Sequence, residues 1–154
     1  MSVSVVSPVD GAQSALPMSL RPPAPPAAVS LLAQGRRELA EADQEHDHIE
    51  RFVGAYLAAL RGAAAVLAAR GRPHRGRSRP ASVWVLLETD APELREWAGF
   101  FAANSAARAD AQAGISGKVT PAMAAELSRA AGLFLELSRR VVHGLPVGGE
   151  AHVA

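Results

Sequence analysis

The chain has 154 residues, a formal charge of +1 and no cysteine, which excludes disulfides, thiolate zinc sites and a thiol nucleophile. A charge that small gives no ground for nucleic-acid binding from the total, and the length suits one domain with one core. Apolar residues make up 49% of the chain and aromatics 5%, with alanine about a fifth. That balance favours close-packed helices, because alanine has the best helix propensity and strands prefer β-branched and aromatic residues.

Residues 1–26 read as a disordered proline-rich tail, with Arg21-Pro-Pro-Ala-Pro-Pro26 favouring an extended, solvated conformation. The first residues lack the basic and hydrophobic regions of a secretory signal, and the longest apolar stretch, Gly62–Ala69, is too short to span a bilayer. The expectation is a cytoplasmic protein with no membrane partner.

The first helix is expected over about Ala28–Glu45, with Leu32, Leu39 and Ala42 along one stripe. It breaks near His46-Asp47-His48, where Asp47 can cap a second helix, about His48–Arg70. That helix places Ile49, Phe52, Tyr56, Leu60, Ala63 and Leu67 at steps of three and four, a buried face about 100° wide. Gly71 and Pro73 stop it.

The strip that follows, residues 70–80, carries Arg70, Arg72, Arg75, Arg77 and Arg79 and no acid, whereas the segments on either side are net acidic. Guanidinium groups match phosphate oxygens with paired hydrogen bonds, so these five are the candidate phosphate- or nucleic-acid-binding residues. No aromatic is interleaved for base stacking, and a solvated linker is the competing account. Ser82-Val-Trp84-Val-Leu-Leu87 fits either a helical turn or an extended piece.

Asp90-x-x-Glu93 reads as a capping box that opens a third helix, running to about Ala113 with Leu94, Trp97, Phe101 and Ser105 as its stripe. Thr120-Pro121, a cap followed by a first-turn proline, starts a fourth helix that runs to His143. Gly144 suits its left-handed C-terminal position and Pro146 blocks extension. Met123, Leu127, Ala130, Phe134, Leu137 and Val141 lie on one side of it. The fold class is therefore all-α: a four-to-five-helix up-down bundle of two antiparallel hairpins over residues 27–144, with the 70–80 linker inside it and a flexible tail at 145–154. Phe52, Tyr56, Leu60, Leu94, Trp97, Phe101, Leu127, Phe134 and Val141 form the predicted core.

The residues suited to metal are His46 and His48, with Asp43, Asp47 and Glu50 near them, since imidazole and carboxylate suit zinc, iron or manganese. A metal site in a bundle core draws ligands from several helices, and the other helices supply none at matching depth, so no metal or cofactor is expected. Ser105 and Ser128 lack a histidine partner. Gly114-Ile-Ser-Gly117-Lys118 lacks the spacing of a phosphate loop.

Ser82-Val-Trp84-Val-Leu-Leu-Glu88 and Ala91-Pro-Glu93-Leu-x-Glu96-Trp97-Ala-x-Phe100-Phe101-Ala102 resemble a small actinobacterial family of the HEPN superfamily of helical domains. Tyr56–Ala69 and Phe134-Leu-x-Leu137 fit the same pattern, so the resemblance covers about residues 29–142. It implies a four-to-five-helix bundle, a homodimer, and an association with RNA cleavage or with a nucleotidyltransferase or other protein partner. The superfamily's ribonucleases place a histidine after an arginine with four to six residues intervening. Arg139 and Arg140 precede His143 by three and two intervening residues, and Arg70 precedes His74 by three, so no pair fits. The leading reading is a non-catalytic module that binds a nucleotide, RNA or protein. The alternatives are a divergent metal-independent ribonuclease using Arg139 or Arg140 with His143, and a metal-dependent bundle enzyme at His46 and His48.

Overall fold

The structure is a computed structural model and describes residues 22–72, 80–115 and 117–148. Most of the expected N-terminal tail, His74, Arg75, Arg77 and Arg79 of the strip, and residues 149–154 of the C-terminal tail lie outside the described residues. Among those described there is no strand.

Helix α1 spans Pro26–Asp43, two residues earlier at each end than expected. Pro26 occupies the first helical position, where its missing N–H is not needed and its fixed φ suits the helix. Helix α2 spans His48–Ala69. Asp47 takes the extended backbone of an N-cap, but its carboxylate makes no capping bond. Arg51 closes the α1–α2 junction instead, donating to the carbonyls of Glu45 and His46 at 2.9 Å each.

Small residues set the distance between these two helices. A Cβ on Gly54 would lie 2.6 Å from the Cβ of Ala42, an approach that only glycine permits. Helix α2 is buried almost all round from Gly62 to Leu67 because it is the central helix, flanked by α1 and by three later elements. It is also the one described helix long and apolar enough to cross a membrane, and most of it is buried inside the bundle. The predicted stripe was thus too narrow, and Leu60 is only half-buried.

The ambiguous piece after the strip is a helix, α3, over Pro80–Asp90. Val83, Trp84 and Leu87 are its buried residues, at helical spacing. The expected third helix is divided: a 3₁₀ turn, Pro92–Leu94, leads into α4, Arg95–Ala103, and then α5, Ser105–Gln112. At the break, Asn104 donates its side-chain N–H to the Phe100 carbonyl at 2.9 Å and Ser105 donates its hydroxyl to Ala102 at 2.9 Å. Such local side-chain bonds compete with the helix ladder. Helix α6, Pro121–Val142, follows the expectation closely. The Thr120 hydroxyl accepts the Met123 N–H at 3.1 Å, and Gly144 has φ of 70°.

Long-range contacts fix the directions. His48 donates to the Val119 carbonyl at 3.1 Å where α2 and α6 begin, and both helices end on one cleft, so they run parallel. Asp43 at the end of α1 accepts from Ser128 near the start of α6, so α1 runs against both. Helix α3 runs with α2, and α4–α5 return against it. With α4–α5 taken as one bent rod, five helical rods enclose an all-α core.

Rings dominate that core. Trp84 stacks on Phe101 with centroids 5.1 Å apart, and Phe134 lies within 6.1 Å of Trp84, Trp97 and Phe101. Leu135 of α6 lies against Gly35 of α1 and Gly62 of α2, which lets three helices meet at one side chain.

Candidate functional site

Helices α2, α3 and α6 all end at the same pole of the bundle, marked by Arg70, Asp90 and His143. The last turns of a helix expose unpaired carbonyls and carry partial negative charge, so cations are favoured there. Arg70 and Arg72 follow the end of α2, and Arg139, Arg140 and His143 close α6. A cleft of about 440 Å³ opens between these ends, with Pro22–Pro25 along one side and Ala69, Val142, Arg70 and His143 around the rest.

The root of the arginine strip is occupied. Arg70 donates to the Asp90 carbonyl at 2.6 Å and to Glu93 Oε2 at 2.5 Å. Arg72 grips the Asp90 carboxylate with two bonds, Nε to Oδ2 at 2.7 Å and Nη2 to Oδ1 at 3.2 Å. The Asp90 side chain is 15% exposed, whereas that of Arg72 is 46% exposed. The Arg72 hydrogen bonds hold the Asp90 carboxyl below the usual carboxylate range, aided by the charges of Arg72 and Arg70 and opposed by desolvation. The Arg72 guanidinium is correspondingly raised.

The Asp90–Glu93 capping box is therefore not formed. Asp90 closes α3, Ala91 is the residue before the 3₁₀ turn, and no side chain caps it. Arginine forks from eighteen to twenty-three residues upstream take both carboxylates instead, because a charge-assisted pair is stronger than a bond to a neutral backbone N–H. The signal in the sequence is compositional only: an arginine-rich strip without acids, followed by Glu88, Asp90 and Glu93.

At α6, Arg139 donates to both oxygens of Glu136, at 3.1 and 2.8 Å, and Glu136 lies 3.7 Å from Arg36 of α1. The Arg139 hydrogen bonds lower the Glu136 carboxyl, aided by the charges of Arg139, Arg36 and Arg140 and opposed by desolvation. His143 follows the last residue of α6 and its backbone N–H returns to the Arg139 carbonyl at 3.0 Å. His143 lines the cleft together with Arg70, a juxtaposition that the spacing of Arg139 and Arg140 to His143 does not suggest.

The metal candidates do not converge. The chain leaves the helix between Asp43 and His48, which destroys the register that would have aligned Asp43, His46, Asp47 and Glu50. His48 turns its Nε2 to the Val119 carbonyl, and Asp43 accepts from Ser128 at 2.6 Å. Among the described residues no group of three or more His, Cys, Asp or Glu side chains could hold a metal ion.

Compared with known proteins, residues 42–139 match the model of the SAV_6107-like HEPN family, from the end of α1 almost to the end of α6. No curated protein and no solved structure matches the chain. The matched region holds the whole ring cluster, Tyr56, Trp84, Trp97, Phe101 and Phe134, that fixes how the rods pack. By that match and its all-α bundle, the chain belongs to the SAV_6107-like HEPN family.

Proposed function

We propose that this HEPN bundle is a non-catalytic binding module whose partner is RNA, held by its phosphates through Arg70, Arg72, Arg75, Arg77 and Arg79. The observation that carries this reading is the concentration of five arginines, with no acid among them, in residues 70–79. They follow the end of α2, which shares a pole with the end of α6 and its Arg139 and Arg140. Arginine suits this role because its planar fork meets two phosphate oxygens at once. The family's associations belong to the same proposal: a homodimer, and a nucleotidyltransferase or other protein as a further partner. The test is affinity for a single-stranded RNA against salt. Three to five phosphate contacts give a log–log slope of about −2 to −4. Replacing the five arginines with glutamine removes most of that slope, while helical content persists. Binding that keeps its slope after replacement places the positive surface elsewhere, on Arg129, Arg139 and Arg140.

A second reading, a divergent metal-independent ribonuclease acting through His143 with Arg139 or Arg140, draws on one observation. His143 lines a cleft together with Arg70. Against it, Arg139 is held in two hydrogen bonds by Glu136. RNA cleavage by the purified protein that is lost in His143→Ala favours this reading over the first.

A further inference from the structure

Helix α6 keeps one stripe outside the bundle. Glu126, Arg129, Leu133, Glu136 and Arg140 follow one another at steps of three and four, so they share a face of the helix. Leu133, in the middle, is 48% exposed; Glu126, Arg129 and Glu136 are exposed and Arg140 is half-buried. Glu126, Arg129 and Arg140 make no side-chain hydrogen bond or ion pair among the described residues. Glu136 takes the Arg139 fork and lies near Arg36, and its oxygens keep lone pairs for a further donor. Beside Leu133 a cleft of about 300 Å³ opens between α1 and α6, with Leu39, Ala40, Gly132 and Leu135 as its apolar lining. Of its charged lining, Asp43 is taken by Ser128, and Arg36 and Glu136 face each other.

The signs along the stripe decide what fits it. They run acid, base, leucine, acid, base. A two-fold rotation about an axis beside Leu133 therefore sets Glu126 against Arg140 of the partner subunit, and Arg129 against Glu136 of the partner subunit. Turned parallel, the same two stripes would set every charge against its own copy, which repels. A polyanion fits worse, because it meets both glutamates along with the arginines and finds no aromatic for a base to stack on.

We propose that this face of α6 joins two copies of the chain, antiparallel about Leu133. Each Leu133 packs on Gly132 at the mouth of the other copy's cleft, where the missing side chain lets the backbones come close. The contact is isologous, so each ion pair occurs twice. This rests on the homodimer in the reading above and is independent of the arginine strip.

Sedimentation equilibrium of the full chain over a concentration series tests it, with circular dichroism to check that each form is folded. The wild type is expected to pass from monomer to dimer at roughly micromolar concentration, since one helix face is at the small end of stable interfaces. L133D, at a position exposed in the single copy, is expected to weaken the dimer about a hundredfold by burying two unpaired carboxylates. E126R and R140E each bring like charges together twice, and each is expected to weaken it about tenfold. Mixing these two variants is expected to restore wild-type affinity as a heterodimer, because each supplies the sign that the other lacks. Glu126 and Arg140 stand about 21 Å apart along α6, too far to pair within one chain, so recovery belongs to contact between copies. Weakening in the single variants without recovery on mixing overturns the antiparallel register. A dimer that L133D and both charge reversals leave at wild-type affinity overturns the α6 contact and keeps a homodimer built elsewhere. A wild type that stays monomeric overturns the contact and the homodimer together, and leaves the RNA reading standing. RNA binding by that monomer that is lost in R140E gives the stripe to RNA instead.

Discussion

Trp84 donates its indole N–H to the hydroxyl of Tyr56 at 2.8 Å, tying α3 to the middle of α2 at the centre of the bundle, with both side chains almost wholly buried. The two rings meet edge to face with centroids 6.1 Å apart. Arg108 of α5 lies over the Tyr56 ring, its guanidinium carbon 4.9 Å from the ring centre. One phenol thus receives a hydrogen bond, an aromatic edge and a cation from two different helices.

Tyr56→Phe removes the acceptor and leaves a buried indole N–H without a partner. The expected loss is about 1–3 kcal/mol, the cost of an unsatisfied buried donor. Trp84→Phe in the same background should cost less than it does in wild type, because the bond is already lost and the substitution removes the orphaned donor. Urea melts of the four forms check this, and strictly additive losses would show that the bond contributes nothing of its own.

Phe134 touches Trp84, Trp97 and Phe101, so truncating it opens a void in contact with α3 and α4. Phe134→Ala and Trp97→Ala are each expected to cost about 3–5 kcal/mol, a large share of the stability of a domain this size. An unchanged melting temperature in both variants contradicts the assigned core.

Gly54 leaves no room for a side chain against Ala42. Gly54→Ala should drive α1 from α2 and destabilise the chain by about 1–3 kcal/mol, despite alanine's better helix propensity. Gly99, by contrast, has no atom within 4 Å of where its Cβ would be, and Gly99→Ala should stabilise α4 by up to about 1 kcal/mol. Opposite shifts in melting temperature for the two variants are the expected result.

Asp90 and Glu136 both have carboxyls lowered in the folded state by arginine partners. A group whose folded value lies below its unfolded value stabilises the fold at pH above the unfolded value. That contribution drains away as pH falls through the folded one. Stability should therefore decline below about pH 4 as these two pairs are protonated. In D90N combined with Glu136→Gln, that part of the acid sensitivity should be missing from melts taken down the pH series. A decline identical to wild type assigns it to other carboxylates.

His143→Ala is expected to leave RNA binding unchanged and to cost a few tenths to about 1 kcal/mol, since the imidazole stands at the end of α6. Thermal melts with RNA binding measured in parallel separate the two effects.

The clearest parts of the fold in the sequence were those set by neighbours along the chain. Thr120-Pro121 and Gly144 mark both ends of α6, because capping and the left-handed turn depend on a few consecutive residues. The Val83–Leu87 stretch is ambiguous in sequence, since a short unbroken apolar run fits a buried strand as well as a helix. The break at Asn104 has no signature in the sequence, because alanines on both sides keep the helical pattern going, while the competing bonds come from two side chains of ordinary helix-surface type. Asp90 and Glu93 have the spacing of a capping box, and their pairing with Arg70 and Arg72 depends on the fold rather than on neighbours along the chain. The candidate site was legible in composition, as a run of arginines, and illegible in its electrostatics.

Because Arg72 meets Asp90, the segment from one to the other is a closed excursion: it leaves the pole of the bundle and returns to it at the end of α3. Its two feet are fastened, one by α2 and one by the Trp84 side of the core. The cost of closing a segment between fastened feet rises slowly with its length: doubling a loop costs about 0.6 kcal/mol in closure entropy. The packing of α3 against α2 is thus compatible with a longer or a shorter connection between them, so long as both helices end at the same pole.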